Sequence, residues 1–322
     1  MNLKILVTGG AGYIGSHVTH DLISLGYNVV VLDNLSKGSL LNINPKSTFV
    51  KGDIRDEEVL EKVFSSGIDV VFHFAALKAA GESMIYPDKY ALNNIGGTVK
   101  LLSMMQKYKV KYFIFSSSAA VYGNPVNLPI NESHPKEPIN YYGYTKLAIE
   151  ENLRWFSEIL GIKYAALRYF NATGYDVNGR IKGKEVNPAN LCPIIMEVLS
   201  GERNGMEVFG NDYDTPDGTC IRDYIHVNDL SSAHIKALDY IVKKDSNLVV
   251  NLGTGKGFSV MDLINSAEKV TGKKVNYKIT GRRPGDPAEL IADPSLAAEL
   301  IGWKAIYSSP EEIFKSMIPV YL

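Results

Sequence analysis

A phenol and an amine stand four residues apart at Tyr142 and Lys146, a spacing that puts both side chains on one face of a helix. The chain has 19 tyrosines, so a chance pair is expected, and Tyr240 with Lys244 is one. It runs into Lys243-Lys244-Asp245 and reads as a solvated helix end. The first pair opens a long helical segment behind an apolar run that ends in Ser116-Ser117-Ser118. A tyrosine with pKa ~10 is a poor base at neutral pH. A neighbouring cation would favour the phenolate and lower that pKa. A serine hydroxyl could bond the oxygen that the phenolate deprotonates, and Ser118 is best placed by its distance past the buried run. The alternative for the serines is a strand end making local turn bonds.

A second constellation precedes it. Gly9, Gly12 and Gly15 lie between the first β-branched run and the first helical repeat. At such a junction one glycine permits the tight turn, the next lets a pyrophosphate approach the backbone, and the last lets helix and sheet pack closely. The helix N-terminus then offers free N–H groups to the phosphates. The spacing is G-x-x-G-x-x-G, and by itself it fits a plain glycine-rich turn equally well. Asp33 closes the second strand eighteen residues after Gly15. An acid there accepts both hydroxyls of an adenosine ribose and repels a 2′-phosphate, which selects NAD over NADP. The positive nicotinamide ring would then join Lys146 in favouring a Tyr142 phenolate. Asp53 and Ile54 follow the third strand and read either as an adenine contact or as an ordinary strand-to-helix turn. Phe74-Ala75-Ala76 follow the fourth, where small residues either admit the pyrophosphate or simply pack tightly.

These groups need a scaffold. Strands are expected at Lys4–Thr8, Asn28–Leu32, Thr48–Lys51, Asp69–Phe74, Lys111–Ser116 and Lys163–Tyr169, several of them continuous apolar runs as in parallel strands buried on both faces. Helices are expected from Ile14 to Leu25 with Gly26 past the end, from about Glu82 to Tyr108, and from about Tyr142 to Leu160. The alternation predicts an α/β protein with a Rossmann-type doubly wound parallel sheet. Beyond Asn171 the pattern changes to loops, as in Thr173–Lys184 and Gly210–Gly218, and shorter helices at Asn187–Ser200 and from a Ser259 cap to Val270. The division expected is an NAD-binding domain at 1–172 and a smaller α/β substrate-binding domain at 173–322, with 223–251 returning to the first sheet.

Composition removes other classes. With 322 residues and 45% hydrophobic content, the chain can bury a sizeable core. A net charge of -1 gives no electrostatic reason to expect nucleic acid or an anionic membrane. No apolar run approaches the ~18 residues of a membrane helix. Two cysteines, Cys192 and Cys220, exclude a disulfide framework and favour a reducing compartment. No metal-ligand spacing occurs. The expectation is a soluble cytoplasmic protein without a metal.

Taken in order, TGGAGYIGSH, LDNLSKG, GDIRD, FAALKA, NN, FSSSAAVYG, YGYTK, RYFNATG, VFGND, RDYIHV and RRPGDPA resemble the extended short-chain dehydrogenase/reductase superfamily, and within it the nucleotide-sugar 4-epimerases. The resemblance spans almost the entire chain. It implies a tightly held NAD, a UDP-hexose substrate and interconversion of UDP-galactose and UDP-glucose through a transient 4-keto sugar. Tyr142 would take the proton of the 4-hydroxyl while hydride leaves C4, Ser118 would share the bond to O4, and Lys146 would hold the nicotinamide ribose. By motif position Tyr13, Ile14, Asn34, Lys78, Asn93, Ser116 and Tyr169 would join the cofactor contacts. Asn171, Asn190, Phe209, Arg222, Arg283 and Asp286 would hold the uridine diphosphate, the arginines through charge-assisted pairs. Either arginine could otherwise be a surface ion pair. Leu290 stands where family members vary between bulky and small residues beside the sugar, which leaves N-acetylated UDP-hexosamines open as substrates. Tyr141 replaces a frequent proline. The resemblance further implies a homodimer through the two long helices. A dehydratase would need proton-transferring residues after Ser118, where Ala119 and Ala120 stand. A net reductase would need exchangeable cofactor, and a non-catalytic NAD sensor would have no use for Ser118, Tyr142 and Lys146 together.

Overall fold

The computed structural model describes residues 3–185, 188–283 and 285–322. Seven parallel strands, β1 Lys4–Thr8, β2 Asn28–Asp33, β3 Thr48–Lys51, β4 Val70–His73, β5 Tyr112–Ser118, β6 Lys163–Tyr169 and β7 Leu248–Leu252, form one sheet. Their order is β7-β6-β5-β4-β1-β2-β3. Alternate side chains serve opposite faces: Ile5 and Val7 enter one apolar cluster while Leu6 enters another. Helices α1 Tyr13–Ser24 and α5 Val227–Lys244 close the first face. Helices α2 Glu57–Phe64, α3 Gly97–Lys107 and α4 Tyr141–Leu160 close the second. Both faces are therefore covered, which is why the strands read as unbroken apolar runs. The strand order reverses between β1 and β4, and in such sheets the crevice beyond the carboxyl ends at that point takes the ligand.

Local chemistry sets the helix ends. Gly12 is the N-cap of α1, and Gly26 follows its end at φ +86. Asn140 caps α4, its side-chain oxygen accepting from Gly143 N at 2.9 Å, and Gly161 ends it at φ +72. The helix starts at Tyr141 itself, so the missing proline does not disturb it. At the sheet's far edge β7 pairs with β6 from Leu248 opposite Ala165 to Leu252 opposite Tyr169.

One expected helix is corrected. The segment from Glu82 to Tyr108 is not continuous but broken into Ala80–Ser83, Pro87–Tyr90, a π-helical turn at Ala91–Gly96, and α3. Pro87 carries no N–H and cannot sit inside a helix, but it suits the first position of a new one. The helix expected at Asn187–Ser200 spans Leu191–Ser200, with Asn190 at its N-cap; Asn187 lies outside the described residues.

The later chain gathers around a separate apolar cluster that includes Tyr175, Ile195, Leu263 and Phe314. Ser259 caps the helix Val260–Thr271 through a capping box with Asp262. Ile221–Arg222 lies between Phe258–Ser259 and Glu289–Leu290, and Met206–Phe209 pairs with Tyr277–Thr280. Among the described residues no helix is long and apolar enough to cross a membrane, and no group of three metal-ligating side chains occurs.

Candidate active site

The glycine turn occupies the strand-order reversal. Gly9 has φ +72, and a Cβ there would stand 2.6 Å from Ala75 N; a Cβ on Gly15 would stand 2.3 Å from the Gly9 carbonyl oxygen. No side chain fits either place. The first N–H groups of α1, those of Tyr13 and Ile14 among them, have no carbonyl of their own helix to bond, and its first turn holds no acid to compete with an anion. These features fit a pyrophosphate. The Tyr13 ring points away, its hydroxyl donating to the Gly174 carbonyl, and Ile14 packs on the core. The Phe74 ring lies 4.9 Å from that of His234, which leaves Ala75 and Ala76 as the small residues beside the turn.

Asp33 ends β2 with both oxygens fixed, Oδ2 by Ala11 N at 2.9 Å and Oδ1 by Leu35 N at 2.8 Å. Each oxygen keeps a lone pair for a ribose hydroxyl. Asn34 and Asp53 join the ends of neighbouring strands, Asn34 Nδ2 donating to Asp53 Oδ2 at 2.9 Å. Asp53 also takes two bonds from the Arg55 guanidinium, which hold its carboxyl well below the usual range. Ile54 is buried beneath α3. Lys78 pairs with Glu185 at 2.5 Å. Asn93 donates to the Oδ1 of Asn94 at 3.0 Å. Asn94, which sequence reasoning did not single out, is buried in the π-helical turn. It accepts from Leu77 N at 2.9 Å and donates to Leu77 O at 3.0 Å and to Thr145 Oγ1 at 3.1 Å. It thereby ties the loop after β4 to α4. Its only signal was an amide pair inside an amphipathic segment.

The hydroxyls and the amine meet at the end of β5. Lys146 Nζ donates to the Ser116 carbonyl at 2.7 Å and lies 5.8 Å from the centre of the Tyr142 ring. The Ser118 hydroxyl lies beside the Tyr142 phenol, near enough to favour its ionised form, and its Oγ accepts from Ala120 N at 3.1 Å. Ser116 Oγ bonds the Tyr169 hydroxyl, and Tyr142 N donates to Ser83 Oγ at 3.0 Å. The lowered phenol pKa is expected with the nicotinamide ring in place; in the protein alone burial pushes Tyr142 up, opposed by the nearby Ser118 hydroxyl. Burial also pushes Lys146 down to about 7, opposed by Glu150. In the protein alone, burial of the phenol is the larger influence on Tyr142.

A cavity of about 810 Å³ lies in the later part of the chain, and its walls include Asn171, Asn190, Phe209, Arg222, Arg283 and Asp286. Six residues from five separate stretches are thus assembled. The Arg283 guanidinium stacks 3.8 Å from the Phe209 ring centre. Arg222 is largely buried and stands 3.6 Å from Asp286 Oδ1. Asn171 donates from Nδ2 to the Asp223 carbonyl at 3.1 Å. Ser118, Tyr142, Lys146 and Leu290 are not among the walls. Leu290 pairs with Arg222 and packs on the cluster of Ala119, Val121, Tyr122 and Ile130 just after Ser118, and so stands between the two groups. The apolar walls Met206 and Val260 carried no sequence signal.

A glycine turn fit for a dinucleotide at the sheet's reversal, with a serine and a tyrosine near a lysine at a neighbouring strand end, is the arrangement of the short-chain dehydrogenase/reductase class. Within that class the chain belongs to the NAD dependent epimerase/dehydratase family, which it matches over residues 5–253. It is 49% identical over 311 residues to a UDP-glucose 4-epimerase of Halalkalibacterium halodurans, covering 96% of this chain and 92% of that one. The structure of UDP-glucose 4-epimerase from Brucella ovis in complex with NAD superposes with TM-score 0.96, at 44% identity and 98% coverage of both chains. That from Bifidobacterium longum in complex with NAD+ and UDP superposes with TM-score 0.90, at 42% identity and coverage of 97% and 96%.

Proposed function

We propose that this protein inverts C4 of UDP-hexoses, interconverting UDP-galactose and UDP-glucose through a transient 4-keto sugar, with NAD as its cofactor. The observation that carries the reading is the Ser118–Tyr142–Lys146 group at the sheet edge that also holds the glycine cradle. When bound, NAD reversibly accepts a hydride and adds a positive charge beside the phenol. Tyr142 takes the proton of the 4-hydroxyl, and Ser118 shares the bond to that oxygen. Lys146 holds the nicotinamide ribose. Arg222 and Arg283 pair with the pyrophosphate, and Asn171, Asn190, Phe209 and Asp286 complete the uridine diphosphate site.

This division of labour matches the chemistry. A hexose that must present both faces cannot be gripped firmly, so the nucleotide supplies the affinity and the sugar turns. Ala119 and Ala120 after Ser118 cannot move the protons that an elimination needs. The size of Leu290 governs whether an N-acetyl group enters.

The dinucleotide half comprises 1–172 with 223–251 added, and the remainder holds the nucleotide sugar. Tyr144, Trp155 and Ile159 form an exposed apolar stripe along α4, which supports a homodimer formed through α3 and α4. Two free cysteines fit a cytoplasmic setting.

The test is anaerobic incubation with UDP-galactose, UDP-glucose and their N-acetylated counterparts without added NAD, followed by product separation. Conversion is expected, and Tyr142→Phe should keep bound NAD and lose turnover. A purified protein that neither contains nor binds NAD overturns the reading.

A further inference from the structure

Tyr142, Lys146 and Glu150 follow one another at intervals of four on α4 and share one helix face. The three serines that end β5 each engage one of them. The Ser116 carbonyl accepts from Lys146 Nζ at 2.7 Å, the Ser118 hydroxyl lies beside the Tyr142 phenol, and the Ser117 hydroxyl donates to Glu150 Oε1 at 2.6 Å. Glu150 is itself clamped from β6. Arg168 donates from Nε to Glu150 Oε1 at 2.9 Å and from Nη2 to Oε2 at 2.5 Å. Its Nη1 donates to the Tyr122 hydroxyl at 2.9 Å, and that hydroxyl donates to Asn251 Oδ1 at 2.6 Å. The glutamate and arginine side chains are 8% and 4% exposed.

A buried ion pair is poor material for stability alone, because desolvating both charges offsets most of their attraction. What this pair does is geometric. Its one bond into β5 goes to the residue between the two that meet the phenol and the ammonium. We propose that Glu150, held by Arg168, is a positioning residue that pins Ser117 and thereby sets Ser118 and the Ser116 carbonyl in register with Tyr142 and Lys146. The inference rests on the functional reading above. Glu150 touches neither the phenol nor the reacting sugar; it acts through the strand. The groups around Lys146 are Tyr142 and Glu150 on its own helix, the Ser116 carbonyl and the Phe115 ring from β5, and His73 from β4. Glu150 is the sole acid among them.

The test uses UDP-galactose conversion by the full-length protein with its bound NAD. Ser117→Ala should lower kcat about tenfold, less than the roughly hundredfold cost of a 1 Å misplacement of reacting groups, with KM and Tm close to those of the unaltered protein. Ser117→Thr, which keeps the hydroxyl, should restore kcat. Replacing the pair by Glu150→Leu with Arg168→Met keeps the volume apolar and the fold intact, and should lower kcat similarly. Adding Ser117→Ala to that double variant should cost nothing more, because the two changes break one link. If the paired variant fails to fold, the Ser117 variants decide. An active unaltered protein whose kcat is untouched by Ser117→Ala overturns the proposal alone. So does a loss of kcat that Ser117→Thr shares, or one that adds to the loss from the paired variant. No conversion by the unaltered protein overturns the functional reading, and the proposal with it.

Discussion

Gly9 and Ala75 meet backbone to backbone, and a Cβ on Gly9 would stand 2.6 Å from the Ala75 nitrogen. The contact joins the loops that leave β1 and β4, the two strands between which the sheet order reverses. The same turn is anchored sideways, Gly9 N donating to Leu32 O at 2.8 Å and Phe74 N to Thr8 O at 2.9 Å. Three adjacent strand ends therefore converge on one residue without a side chain, and the crevice is shaped by backbone alone.

Gly9→Ala is expected to lower stability by about 2 kcal/mol or more, from the left-handed φ and the collision together, and to abolish retention of NAD. Gly26→Ala is the control. Its φ is +86 but nothing lies within 4 Å, so it should cost about 1 kcal/mol and leave cofactor content unchanged. Thermal unfolding and the NAD content of purified protein read both. Equal effects of the two substitutions would show that backbone strain, not the close approach, is what Gly9 avoids.

The arginines should separate binding from turnover. Arg283 stacks on Phe209 at 3.8 Å and lines the cavity, whose walls do not include Ser118, Tyr142 or Lys146. Arg283→Ala should raise KM for UDP-galactose about tenfold, the worth of one charge-assisted hydrogen bond, with kcat within about threefold. Steady-state kinetics with UDP as a competing ligand check it: the inhibition constant of UDP should rise in parallel. A fall in kcat with KM unmoved would place Arg283 in the chemistry instead.

The sheet was legible because its strands are buried on both faces, so runs such as Ile5-Leu6-Val7 carry an unbroken apolar signal. The helix from Glu82 was misjudged because periodicity counts apolar positions and not missing donors, and Pro87 removes one. The glycine turn announced itself through spacing and through Asp33. The direction of the Tyr142 pKa did not, because burial is a property of the packed molecule. Glu150 and Arg168 lie eighteen residues apart on a helix and a strand, where no local pattern marks two charges as partners. The short pairings around Ile221–Arg222, two residues long, are below the length at which alternation can be read.

A dimer through α4 makes a further expectation. Trp155 and Ile159 are 53% and 70% exposed, four residues apart on one face. Trp155→Glu with Ile159→Glu puts two charges into the proposed contact, where large apolar anchors dominate the affinity. Sedimentation velocity should then show a monomer at concentrations where the unaltered protein is dimeric. A monomeric unaltered protein, or a variant that still dimerises, removes α4 from the interface.

Acid sensitivity should trace to histidines enclosed in the core. His234 is fully buried between the rings of Phe74 and Tyr169. Its Nδ1 bonds the Leu230 carbonyl, and its Nε2 has no partner among the described residues. Burial pushes its pKa down to about 4 from an ordinary value of 6.5. A folded-state pKa below the unfolded one means that the unfolded chain binds the extra proton. The stability contribution is therefore complete above pH 6.5 and is lost as pH falls towards 4. At pH 5 the loss for this one group is about 2 kcal/mol. His73 and His226, both lowered to about 3, and His17, lowered to about 4, act in the same direction. Asp223, raised to about 6 by burial, opposes them. His234→Phe removes the titrating group while filling its site. Whatever its packing costs, that cost does not change with pH. The difference in unfolding free energy between pH 7 and pH 5 should therefore shrink by about 2 kcal/mol relative to the unaltered protein. Denaturant unfolding at the two pH values measures it, and an unchanged difference would mean that His234 is not held neutral in the fold.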